Sequence, residues 1–196
     1  TAAVLVALSG ALASCSGSDD EPKPSPSKTS AAASTAAPTT AAPVAQQPEG
    51  TDGVTFDVQN WDEYAAVPAV LAWKQVQEGL AASTNQGKVL PTLRQGVSKK
   101  VLRKFVAAVD YSRRNEYHTP ARGVARVDAL KDEGRVVRMT TCLWAPSASV
   151  YDNDDKIVGG ESEYWYKQQI TMKSSSGRWI VTAQLTEGKC PGGPPS

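Results

Sequence analysis

The sequence has one histidine, three cysteines and two phenylalanines, and no aromatic residue at all before Phe56. Each scarcity removes a class of function. The single histidine, His118, leaves no second imidazole for a histidine metal triad, and neither a Ser, His and Asp order nor a glycine-rich phosphate loop is present. Charge of one sign is missing too. The 21 Lys and Arg face 20 Asp and Glu, a formal net charge of +1, so the overall balance points to neither a nucleic-acid binder nor an acidic sink. No apolar run reaches the ~20 residues that a membrane-crossing helix needs.

What the sequence does have begins with "VLVALSGALASC" (Val4 to Cys15). Its Val, Leu and Ala with one Gly, ending in small residues, read as the apolar region of a signal peptide. Thr1 rather than Met opens the sequence, so a charged region is expected upstream. Two cleavage readings overlap. "LASC" (Leu12 to Cys15) resembles the lipobox of bacterial lipoproteins, in which the cysteine thiol takes a diacylglyceryl group and cleavage falls just before it. "ALA" (Ala11 to Ala13) is an A-x-A site for ordinary secretion. Only Cys142 and Cys190 remain besides Cys15. If those two pair, Cys15 needs another fate; thioether lipidation supplies one, and a free extracellular thiol is the alternative.

From Ser16 to Gly50 the chain is mostly Ala, Ser, Thr and Pro, with no Ile, Leu or aromatic residue. Such a segment buries too little apolar surface to offset ordering its backbone, and it reads as a tether with a coil dimension of roughly 30 to 35 Å. The expected division is therefore a leader and lipobox at 1–14, a linker at 15–55, a domain at 56–191 and a flexible tail at 192–196.

Within the domain the hydrophobic period changes once. Val67, Val70, Leu71, Val76 and Leu80 fall near a 3.6-residue repeat and predict a helix over Val67–Ser83, with Pro68 in its first turn and Asn60 or Asp62 capping a short turn ahead of it. "VLPTLRQG" predicts a short helical link ending at Gly96. Ser98 is a plausible cap for a second long helix, whose arc of Val101, Leu102, Phe105, Val106 and Val109 opposes Lys99, Lys100, Arg103 and Lys104. After Pro120 the period becomes two. "GVARVDAL" and "RVVRMTTCLWA" predict one hairpin, "ESEYWYKQQITMK" and "RWIVTAQL" another around "SSSG". The class is α+β: two or three N-terminal helices packed on a curved sheet of four antiparallel strands.

"VLAWKQV", "TTCLWAPSASVYDNDDKIV", "SSSGRWIVTAQL" and the terminal "EGKC" resemble stretches of exported actinobacterial lipoproteins with a nuclear-transport-factor-2-like domain, over about Val67 to Cys190. The resemblance implies a cone-shaped α+β fold and a Cys142–Cys190 disulfide, and no assigned activity. Strand ends placed as these are can also be neighbours in an antiparallel sheet; two buried free thiols are the other reading. Where relatives often carry Asp-Cys and a following acid, this sequence has Thr141, Cys142, Leu143 and Trp144, which removes the basis for carrying over a polar site.

Four features could bear chemistry. His118 with Asp110 or Asp128 could form an acid/base pair inside the cone, or be a partly exposed histidine at a helix end. "YDNDDK" (Tyr151 to Lys156) clusters three aspartates but has Lys156 where a calcium loop needs Gly, and it reads as a solvated turn. The basic arc from Arg94 to Arg114 reads first as the outer face of an amphipathic helix and second as a contact for anionic headgroups. Strand alternation puts Tyr164 and Tyr166 on one face, opposite Trp165; Trp144 and Trp179 could join them as walls of an apolar pocket, or all could be core.

The leading expectation is a lipid-anchored extracytoplasmic module of the cell envelope that binds a small apolar ligand or an envelope protein. It attaches to the membrane through Cys15, with no cofactor, metal or nucleic acid implied. A small cone-fold enzyme using His118 is the alternative, and a purely structural assembly factor is a third class.

Overall fold

The computed structural model describes residues 46–158 and 163–195. Cys15, the lipobox and the linker up to residue 45 lie outside them. The elements run β1 (Thr55–Val58), α1 (Trp61–Tyr64), α2 (Pro68–Gln86), α3 (Pro91–Gly96), α4 (Lys99–Arg114), β2 (Arg122–Asp132), β3 (Val136–Trp144), α5 (Ala145–Ala148), β4 (Trp165–Ser175) and β5 (Arg178–Cys190). The α+β class and the order of helices before hairpins are as expected.

The sheet, however, has five strands and is mixed, in the order β1-β2-β3-β4-β5. β2 to β5 form the expected antiparallel meander. β1 adds itself parallel to β2, Thr55 opposite Arg122 and Val58 opposite Ala125. "TFDV" is too short to carry a period of its own, and its pairing partner lies more than sixty residues away. Composition favours it all the same, since Phe56 and Val58 alternate into the core.

α2 is the centre of the domain. It starts with Pro68 in its first turn, where the missing amide has no intrahelical partner to lose, and runs to Gln86. Twelve of its 19 residues are buried, more than one face can hold, because β1, β5, α3 and α4 all pack against it. α4 behaves as an amphipathic surface helix: Ser98 Oγ accepts from Val101 N, Val101 and Val109 are buried, and the opposite side stays in solvent. Each such buried Val contributes roughly 1.5 kcal/mol or more.

Asn60 does not cap α1. Its side-chain amide donates to Val127 O (2.7 Å) and its carbonyl accepts from Val127 N (3.0 Å). The register of β2 against β3 shifts just beyond, between Val127 and Ala129, so Asn60 supplies the partner for a backbone beside a bulge.

The core lies between the helices and the inner sheet face, where Ala125, Val127, Val137, Met139, Leu143, Ile170, Met172 and Val181 point. A second, smaller cluster of Cys142, Trp144, Trp165 and Cys190 sits on the other face. Packing onto the domain also starts earlier than the boundary at Phe56, since Gln47 and Pro48 already bond to it. The last residues are tied as well: Arg126 Nη2 donates to Pro191 O (2.6 Å) and Trp165 Nε1 to Gly193 O (2.7 Å), where a flexible tail was expected from 192.

Candidate functional site

A groove of about 560 Å³ lies between the first half of α2, α3 and the β4–β5 turn. The turn follows from its sequence. Ser176 (φ 51°) and Gly177 (φ 76°) are both left-handed, the geometry of a two-residue hairpin that matches strand twist, and it sets Arg178 and Trp179 at the mouth. α3 can lie against α2 because Gly96 has no side chain; a Cβ there would meet Val76 Cγ2 at 2.4 Å.

Leu71, Ala72, Val76 and Trp179 give the groove apolar walls, while Thr51, Gln75, Thr92, Gln95 and Arg178 carry its polar side-chain atoms. Arg178 is the only charged side chain of the lining, and it makes no ion pair among the described residues. The lining holds no carboxylate, imidazole or thiol. An apolar surface with one cation at its mouth is suited to holding an amphiphile, and it offers no group for proton transfer.

A buried ion pair fixes one edge of this groove. Lys74 and Glu78, one turn apart on α2 and both essentially inaccessible, bond to each other. Lys74 Nζ also donates to Pro48 O (3.1 Å), and Glu78 accepts from Phe56 N (3.0 Å) and from Thr51 Oγ1 (3.2 Å). The charges are thus satisfied by the chain leading into and within β1, which they hold beside the helix, Thr51 included.

The aromatic residues divide differently from the expectation. Tyr166 and Trp179 pack against the main core, and Tyr166 donates from its hydroxyl to Ala148 O (3.3 Å); burial holds its phenol neutral far above the ordinary range. Tyr164 lies under Lys189, whose Nζ is 4.5 Å from the ring centroid. Trp144 is on the opposite face. It stands directly across from Trp165 in the β3–β4 register, and residues so paired share a face. Its ring lies 5.5 Å from that of Trp165, over which Arg126 stacks at 4.8 Å. Alternation within β4 separated Tyr166 from Trp165 as expected; the placement of Trp144 needed the register. Of the proposed pocket residues, only Trp179 lines the groove.

Cys142 and Cys190 are joined in a disulfide, Cα to Cα 6.1 Å, beneath this outer aromatic cluster. Asp128 Oδ2 lies 3.0 Å from Cys142 Sγ, and its other oxygen takes the Arg126 guanidinium at 2.8 Å. Among the described residues these three form the one grouping of metal-type ligands, and both sulfurs are committed to the disulfide.

His118 has neither expected partner. Its backbone pairs with Tyr151 in both directions, and its Nε2 is 3.2 Å from Asp155 Oδ1, with both side chains substantially exposed. Asp110 faces Arg113 instead, and Asp128 faces Arg126. In the "YDNDDK" turn, Asp152 folds back on its own loop: its Oδ1 accepts from Lys156 N and Asp154 N, both at 2.9 Å. These backbone donors, that of Lys156 first, hold the Asp152 carboxyl below its ordinary range.

Sequence reasoning missed Thr51, Gln75, Gln95 and Arg178 as groove residues. The "SSSG" turn placed Arg178 at a hairpin end, but nothing local says that α3 stops beside it.

No protein-family model matches the chain, and no curated protein matches it. Among solved structures, it is similar to an NTF2-like protein of unknown function from Shewanella baltica OS155, at 13% identity over 69% of this chain and 100% of that one, with a TM-score of 0.38. The groove is therefore read from its own residues.

Proposed function

We propose that this chain is a lipid-anchored extracytoplasmic binding module whose groove holds an amphiphile, with the apolar part against Leu71, Val76 and Trp179 and an anionic or acceptor end at Arg178. The observation that carries the binding half is the groove itself, whose volume is in the usual range for a small-molecule site and whose lining pairs apolar walls with one cation that meets no acid among the described residues. The anchoring half is supported by the sequence: an apolar run ending in "LASC", an Ala/Ser/Thr/Pro-rich stretch between Ser16 and the point where Gln47 meets the domain, and two other cysteines that pair with each other.

Calorimetric titration with dodecanoate, dodecanol and dodecyltrimethylammonium tests the groove. Dodecanoate binds most tightly, Trp179→Ala weakens all three ligands, and Arg178→Gln removes the preference for the anion. No binding by any of them, or binding untouched by Trp179→Ala, overturns the reading. Anchoring is tested separately by intact mass of the membrane-extracted protein. A lipid on Cys15 supports it; an unmodified mature chain starting at Ser14 overturns it.

A further inference from the structure

α4 carries six Lys and Arg and a single acid, Asp110. The structure adds what the sequence could not: Asp110 is engaged by Arg113 on the same helix, while Lys99, Lys100, Arg103, Lys104 and Arg114 make no ion pair among the described residues. All five are exposed. At 100° per residue they occupy one arc of about 140°, and Ala107, Tyr111 and the acid Asp110 lie within it. Tyr111 is 51% exposed, one of only two large hydrophobic side chains so exposed among the described residues. The opposite side of α4 is packed on α2 and β5, so this arc faces solvent across the whole helix.

We propose that this face of α4 docks on an anionic phospholipid surface. Unpaired cations repel one another unless an anionic partner covers them, and several on one helix face match a layer of phosphate headgroups. Two details favour lipid over a nucleic acid or an acidic protein. Tyr111 stands among the cations with an apolar ring and a polar tip, the side chain that partitions to headgroup depth. The chain as a whole is near neutral, so the attraction is confined to one face and orients the domain as well as holding it. The choice of lipid also leans on the membrane-anchored reading proposed above, though the contact itself needs no lipid on Cys15.

The test uses the full chain carrying Cys15→Ser, so that no acyl group is present, sedimented with vesicles of phosphatidylcholine alone or with 30% phosphatidylglycerol. Binding is expected to rise with phosphatidylglycerol and to weaken from low salt to about 0.3 M salt, where the Debye length shrinks to a few ångströms. Lys100→Glu, Arg103→Glu and Lys104→Glu combined should weaken it more than about a hundredfold at low salt, the factor that losing three near-surface cations accounts for before the new carboxylates add repulsion. The corresponding Gln triple variant, checked for an unchanged circular dichroism spectrum, should weaken it less but in the same direction. Equal binding to both vesicle types overturns the proposal. So does an unaffected triple variant, or retention on polyglutamate or DNA but not on vesicles. Failure of the anchor reading shows up only in the mass of Cys15, which this experiment does not use.

Discussion

Lys74 and Glu78 sit one turn apart on α2 as an ion pair almost wholly removed from water, and the groups that complete their hydrogen bonding, Pro48 O, Thr51 Oγ1 and Phe56 N, all belong to the chain around β1. The pair therefore joins the N-terminal segment to the central helix. Removing one member leaves the other charge buried and alone. Glu78→Ala should cost roughly 3–5 kcal/mol in denaturant unfolding, whereas Lys74→Met with Glu78→Leu should recover much of that loss. Amide exchange at Phe56 should accelerate in the single variant.

The disulfide closes the outer aromatic cluster, joining positions 48 apart in sequence. Cys142→Ser with Cys190→Ser should lower stability by about 2–5 kcal/mol. Trp165 stacks on Trp144 beside that link, so its emission should shift to longer wavelength below the unfolding transition if the strand ends separate.

Gly96 is where α3 lies against α2. Gly96→Ala brings a Cβ onto Val76 Cγ2, which must turn away into the groove it lines. About 1–3 kcal/mol of stability should be lost, and dodecanoate affinity should fall with it. An unchanged affinity would mean that Val76 does not form the wall of the site.

Acidification should loosen the Tyr151–Lys156 turn. The Asp152 carboxyl is held below its ordinary range by backbone donors, so its contribution is complete above about pH 4, the unfolded value, and is lost as pH falls through the lower folded one. The protection factors of the Lys156 and Asp154 amides, taken relative to intrinsic exchange at each pH, should fall over that interval in the wild-type chain and stay level there in Asp152→Asn.

Much of the fold was legible because its signals are local. Pro68, Ser98 and the change of period after Pro120 placed α2, α4 and both hairpins, and Ser176-Gly177 set the last turn. What escaped was non-local. β1 is four residues whose strand character depends on β2, and Asn60 serves a bulge in β2 rather than the helix beside it. Lys74 and Glu78 look like an ordinary surface i, i+4 pair until the chain before β1 covers them.

By itself the sequence determined the class, the starts of the two long helices, the alternation that separates Tyr166 from Trp165, and the apolar run that ends at Cys15; the end of α2 runs three residues past the expected Ser83, to Gln86. Only the tertiary structure decided that Trp144 belongs with Trp165, that His118 meets Asp155, that Arg178 and Trp179 face α3 across a groove, and that five cations of α4 meet no acid among the described residues. The reason is physical. Periodicity and caps are set within a few residues, whereas register, helix-to-sheet packing and the partners of charges are set by contacts between segments far apart in the chain.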